Sequence, residues 1–174
     1  MDIALLQEPW TNNNTILGIS TNRRKLIYDD SQLAPRAAIL VGVDTKFIPI
    51  SEFISRDIVA MQVEVPTNRG KTEIVAVSAY FPGDGEEVPP KEVVELINHC
   101  KKSNKQFVIG CYAHSHHTTL TNVVNVNVVN EYILSNNIDI CNRLNKPTFA
   151  NAIRQEVLDI TITIRKDSKL ACVR

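Results

Sequence analysis

The chain reads as an α/β or α+β domain in which helices cover β-sheets, and three observations point to that class. Short runs rich in Ile and Val, bounded by turn-formers, dominate the 174 residues. One amphipathic helix stands out at a spacing of three and four residues. A strand-like run lies on either side of that helix, which makes a βαβ-type element.

Asp2–Leu6 is the first run, and Pro9 ends it. Ala37–Val43 is the second and the longest apolar stretch, far too short to span a bilayer. Ile58–Val65 and Glu73–Tyr80 predict a hairpin. Pro66-Thr67-Asn68-Arg69-Gly70 joins them, with Asn68 and Gly70 tolerant of positive φ. Pro89-Pro90 opens the helix. Val93, Leu96, Ile97 and Cys100 recur on one face, with Glu92 and Glu95 early and Lys101-Lys102 late, as the helix dipole favours. Gln106–Gly110 follows as a short buried strand. Asn122–Asn130 alternates Asn and Val, a composition prone to β-aggregation. Val129, Tyr132 and Ile133 then keep helical spacing, which predicts a helix from about Val128 to Asn136. Ile138–Cys141 and Val157–Ile164 close the sheet. No linker or internal repeat interrupts this order, so residues 1–174 read as one domain.

Composition narrows the class without naming a function. Hydrophobic content of 44% and charged content of 22% are ordinary for a globular protein, and the formal net charge is zero. A duplex-DNA binder often carries a basic face, and global charge gives no such sign. Arg23-Arg24-Lys25 and Lys101-Lys102 are local clusters of the kind usually found as solvated surface. Cys100, Cys111, Cys141 and Cys172 form no CxxC pair and no zinc spacing. Three lie in or beside apolar runs and read as buried free thiols, which fits a reducing cytoplasm or nucleus. Asp2 stands where a secretory n-region would be basic.

Four segments carry polar residues at the exit of, or inside, apolar runs, where α/β folds present chemistry. They are Leu5-Leu6-Gln7-Glu8-Pro9-Trp10, Ser78-Ala79-Tyr80-Phe81-Pro82-Gly83, Ile109-Gly110-Cys111-Tyr112-Ala113-His114-Ser115-His116-His117, and Glu156-Val157-Leu158-Asp159-Ile160-Thr161. A carboxylate at Glu8 suits Mg²⁺, a hard ion that takes oxygen donors. The Tyr80 phenol is able to hydrogen-bond a phosphate or assist proton transfer, although a tyrosine at a core edge is common. His114, His116 and His117 raise the question of a transition-metal site, but no Cys or acidic partner lies near them in sequence. Asp159 among β-branched residues is costly unless it is paired or faces a site.

In their order and residues, these segments resemble the endonuclease/exonuclease/phosphatase family, in particular the endonuclease domain of insect non-LTR (LINE-like) retrotransposons. Pro147-Thr148-Phe149 and Ile140-Cys141-Asn142-Arg143 match those domains too. The resemblance implies a DNase I-like fold, a β-sandwich of two mixed sheets flanked by helices. It implies Mg²⁺- or Mn²⁺-dependent nicking of target DNA, with a reverse transcriptase domain in the parent polyprotein. It makes Glu8 the metal-binding residue, and Tyr80, His114 and Asp159 the catalytic positions. His116 and His117 match trailing histidines that contact nucleic acid. The family reads Gly-Asp-X-Asn where this chain has Tyr112 and His114, so Tyr112 is a degenerate catalytic position. Tyrosine, with an ordinary pKa of about 10, supplies no negative charge near neutral pH. The family's first strand and its terminal Ser-Asp-His motif are expected beyond Met1 and Arg174. A copy lacking those terminal strands is expected to keep much of the fold with weak or lost activity, or to persist as a non-catalytic nucleic-acid- or protein-binding remnant.

Overall fold

The computed structural model describes residues 3–67, 70–82, 89–113, 131–141, 149–150, 155–156 and 159–164. Two sheets face each other. The smaller has the order β1-β5-β4, built from β1 (Ile3–Gln7), β4 (Arg24–Ile27) and β5 (Ala37–Gly42), all antiparallel. The larger has six strands in the order β10-β13-β9-β8-β7-β6: β6 (Phe47–Ile54), β7 (Ile58–Thr67), β8 (Gly70–Phe81), β9 (Gln106–Ala113), β10 (Ile138–Ile140) and β13 (Asp159–Ile164). Among the described residues only β8 and β9 pair in parallel, and helix α1 (Lys91–Lys102) supplies the crossover such a pair needs. The other described strands are β2 (Thr11–Asn12), paired in a short hairpin with β3 (Thr15–Ile16), and β11 (Phe149–Ala150), paired antiparallel with β12 (Gln155–Glu156).

Strand alternation sorts the core into two layers. Val75, Val77, Ala79 and Phe81 of β8, with Phe107, Ile109 and Cys111 of β9, pack against Val93, Leu96, Ile97 and Cys100 of α1. Ile133, in the helical stretch 131–135, joins that layer. The opposite face of the large sheet places Val59, Met61, Val63, Ile74 and Ala76 against Ala37, Ile39 and Val41 of the small sheet, with Ile3 and Leu5 beside them. The large sheet is therefore buried on both faces, and each fully buried Ile or Leu contributes about 1.5–3 kcal/mol.

The structure extends several expectations. The hairpin turn is shorter than the spacing predicts: pairing continues through Pro66↔Lys71 to Thr67↔Gly70. Gly70 has φ +120, and Asn68 lies outside the described residues. β9 runs three residues past Gly110, because the β8 ladder continues to Phe81↔Ala113 and the β13 ladder to Tyr112↔Asp159. Strands β4 and β6 gave no alternating apolar signal. Both are edge strands, and β6 accommodates Pro49 and an irregular register between Pro49 and Ile54 as edges permit. The predicted helix from about Val128 to Asn136 is described only from residue 131, and the Asn/Val stretch lies outside the described residues. Cys100 and Cys111 are buried free thiols and Cys141 is half-buried. Among the described residues no helix is long and apolar enough to cross a membrane.

Candidate active site

One end of the sandwich gathers the polar residues. Because β1 and β5 are antiparallel, as are β7 and β8, the exits of β1 and β8 lie beside the entrances of β5 and β7. That places Glu8, Arg36, Asp57 and Tyr80 together. Tyr80 then aligns in register with Tyr112 of β9, and Tyr112 with Asp159 of β13.

Buried hydrogen bonds hold the end of β1 against the large sheet. Ser78, fully buried on β8, donates from Oγ to the Leu6 carbonyl at 2.7 Å. It accepts from Gln7 Nε2 at 2.8 Å, and the same nitrogen donates to the Gly110 carbonyl at 3.0 Å. Glycine at 110 has a physical reason. A Cβ there would sit 3.0 Å from Leu5 Cδ1 and 3.2 Å from Leu5 Cβ, so any side chain would force Leu5 to give by a few tenths of an ångström.

Glu8 leaves the strand with φ +48, left-handed backbone that non-glycine residues seldom adopt. Its N–H donates to the Arg36 carbonyl at 2.9 Å, which stabilises that turn. The exposed Glu8 carboxylate accepts a hydrogen bond from the Tyr80 phenol. Burial foremost, then the Glu8 charge and its hydrogen bond, push the Tyr80 pKa up to about 12 against the opposing charge of Arg36. Tyr80 is thus a neutral donor across the physiological range. The Arg36 guanidinium lies over the Tyr80 ring, 4.4 Å from its centroid, and forms a bidentate ion pair with Asp57. The Tyr80 N–H closes this circuit by donating to the Asp57 carbonyl at 2.8 Å. On its other side Tyr80 stacks on Tyr112, with ring centroids 5.7 Å apart and planes 4° from parallel. Asp159 is exposed at the start of β13, close enough to Cys111 for its charge to add to burial in raising that thiol to about 12.

Four sequence candidates, Glu8, Tyr80, Tyr112 and Asp159, are therefore brought together. His114, His116 and His117 lie outside the described residues. Sequence reasoning missed Arg36, Asp57, Ser78 and Gln7. The signal was an Arg and an Asp, each immediately before an apolar run, at strand entrances that antiparallel pairing makes neighbours. Arg23-Arg24-Lys25 lies apart on the edge strand β4 and its approach, where Arg23 forms an exposed 3.9 Å pair with Asp44.

Solved structures similar to this chain include the following two. The endonuclease domain of TRAS1, a telomere-specific non-LTR retrotransposon, matches with a TM-score of 0.65 at 20% identity, covering 93% of this chain and 72% of that one. The human Nocturnin catalytic domain with bound sulfate anion matches with a TM-score of 0.41 at 8% identity, over 93% of this chain and 60% of that one. No family model and no curated protein matches the sequence. At 20% identity the first likeness shows the fold: a two-sheet, DNase I-like sandwich shared with a retrotransposon endonuclease domain.

Proposed function

We propose that this chain is an endonuclease-like domain of a retrotransposon whose ancestral reaction is Mg²⁺-dependent nicking of DNA phosphodiester bonds at a target site. We take it to be linked to a reverse transcriptase in its parent polyprotein, with its own activity weak or lost. The observation that carries the reading is the Glu8–Tyr80 carboxylate–phenol pair at the strand exits of a fold shared with the TRAS1 endonuclease domain. Glu8 is an exposed oxygen donor. One such carboxylate, with waters and a substrate phosphate, would suit Mg²⁺ or Mn²⁺. When bound, such an ion stabilises charge on the phosphate.

The chain's own residues have separable tasks. Tyr80 is neutral and gives its one hydroxyl proton to Glu8; with Glu8 engaged by a metal ion, that O–H would turn to a phosphate oxygen. Asp159 orients groups on β9, His114 contacts the phosphate in place of the family's Asn, and His116 and His117 contact the nucleic-acid backbone. Water activation is the weak link, because Tyr112 stands where a carboxylate would act. Removing a general base typically costs about two to four powers of ten in rate.

A plasmid-nicking assay with Mg²⁺ or Mn²⁺ is therefore expected to show no cleavage above a Glu8→Ala control. Tyr112→Asp with His114→Asn is expected to help little alone. With a C-terminal Ser-Asp-His segment appended, it is expected to restore metal-dependent nicking that Glu8→Ala abolishes. Failure of that combined variant, with its fold intact by circular dichroism, would overturn the reading. A second reading, a non-catalytic nucleic-acid- or protein-binding remnant, is favoured by the Tyr112 ring stacked on Tyr80 at the degenerate position. Nicking by the unaltered chain would remove it.

A further inference from the structure

The hairpin that follows Glu8 plays no part in the chemistry above, yet it exposes the chain's single tryptophan. Trp10 is 72% exposed, a costly arrangement for the largest apolar side chain. Its surroundings are ordered. The Leu17 N–H donates to the Trp10 carbonyl at 2.8 Å, continuing the ladder Thr11↔Ile16 and Asn12↔Thr15. Gly18, at φ +75, lies against the ring edge, where a Cβ would meet Trp10 Cε3 at 3.6 Å. The far end of the hairpin is tied down as well. The Ala34 N–H donates to the Asn13 carbonyl at 2.7 Å, and Asn14 Nδ2 donates to the Asp30 carbonyl at 2.7 Å.

Alternation divides the hairpin into two faces. Ile16 is buried and Thr11, opposite it, is half-buried, so these face inward. Trp10, Asn12 and Thr15 share the outer, exposed face, with the half-buried Leu17 opposite Trp10 on the same side. That face exposes one aromatic ring, one amide and one hydroxyl, and has no charge. A peptide-binding apolar groove would need more apolar area than one exposed ring beside a half-covered leucine. An indole beside amide and hydroxyl groups matches a nucleobase, which offers a π-face and a polar edge. The position agrees. One residue, Pro9, separates Trp10 from Glu8, which keeps their Cα atoms within about 7 Å, roughly two nucleotides at about 3.4 Å of stacked rise each.

We propose that the outer face of the Thr11–Ile16 hairpin, centred on Trp10, is a stacking platform for an unpaired base one or two nucleotides from the phosphodiester at Glu8. This rests on the nucleic-acid reading above and adds the element that contacts a base. The indole stacks on the base, while Asn12 and Thr15 meet its polar edge. Stacking on an aromatic side chain tolerates any base, so the platform selects unpaired strand over sequence.

The single tryptophan makes the test direct. Its fluorescence, excited at the red edge where tyrosine is silent, is titrated with a short oligothymidylate and with an abasic oligomer of equal phosphate count. Binding of both is measured in parallel by anisotropy of a dye on the oligomer. The base-bearing strand is expected to quench Trp10 and to bind about tenfold more tightly than the abasic strand. Trp10→Ala is expected to abolish that ratio while leaving abasic binding unchanged, and Trp10→Phe to keep part of it. Binding of both strands with equal affinity and equal quenching, or an unchanged ratio in Trp10→Ala, would overturn the platform and leave the nucleic-acid reading standing. No binding of either strand at low salt would overturn both.

Discussion

Replacing Ser78 with alanine tests whether side-chain hydrogen bonds between the sheets, and not apolar contact alone, hold the end of β1 that carries Glu8. Ser78, itself fully buried, donates from Oγ to the Leu6 carbonyl and accepts from Gln7 Nε2, and both of those partner residues are half-buried. Removing it leaves the Leu6 carbonyl without this donor. Gln7 Nε2 keeps the Gly110 carbonyl at 3.0 Å. A neutral hydrogen bond contributes about 1 kcal/mol net, and a buried group left unsatisfied costs about 1–3 kcal/mol. The cavity from one lost hydroxyl adds little, so the expected destabilisation is about 2 kcal/mol. In a chain of this size that lowers Tm by about 4–8 °C. Urea unfolding of Ser78→Ala should shift the midpoint at constant slope. A double-mutant cycle with Gln7→Met should be non-additive by about 0.5 kcal/mol or more, since both side chains serve one network. A loss below about 0.5 kcal/mol, or strict additivity, would show that the sheets are positioned by packing alone.

Further expectations concern the rest of the site. Gly110→Ala puts a methyl 3.0 Å from Leu5 Cδ1 and should cost about 1–3 kcal/mol by urea midpoint, less when combined with Leu5→Ala. Asp57→Asn leaves Arg36 without its charged partner. With both side chains about a quarter exposed, the cost should be about 1–2 kcal/mol, below that of a fully buried pair. The Cys111 thiol and Tyr80 phenol are raised by burial, from 9.0 and 10.0 respectively, each to about 12. Both are neutral when protonated, so their contribution is complete below pH 9. It is lost as pH climbs from 9 to 12, at a slope of up to about 1.4 kcal/mol per pH unit for each group. Melts from pH 8 to 11 should show Tm falling above 9, with Cys111→Ala flattening the first part of the decline. A Tm constant to pH 11 would contradict the burial of both groups.

Apolar runs rich in Ile and Val and one amphipathic helix were enough to place strands β1, β5, β7, β8, β9, β10 and β13 and helix α1, because those runs supply the two core layers. Glu8, Tyr80 and Asp159 were legible as polar residues at strand exits or entrances. Strands β4 and β6 were not legible, since proline and charged or polar residues interrupt their apolar positions, as an edge tolerates. Tertiary pairing alone carried β9 to Ala113 and set Tyr112 in register with Tyr80 on one side and Asp159 on the other. It also joined Arg36 to Asp57, 21 residues apart, and Ser78 to Leu6, 72 apart. No local sequence signal encodes such partners. They are chosen by which strand ends the two sheets bring together and by how closely a glycine at 110 lets those sheets approach.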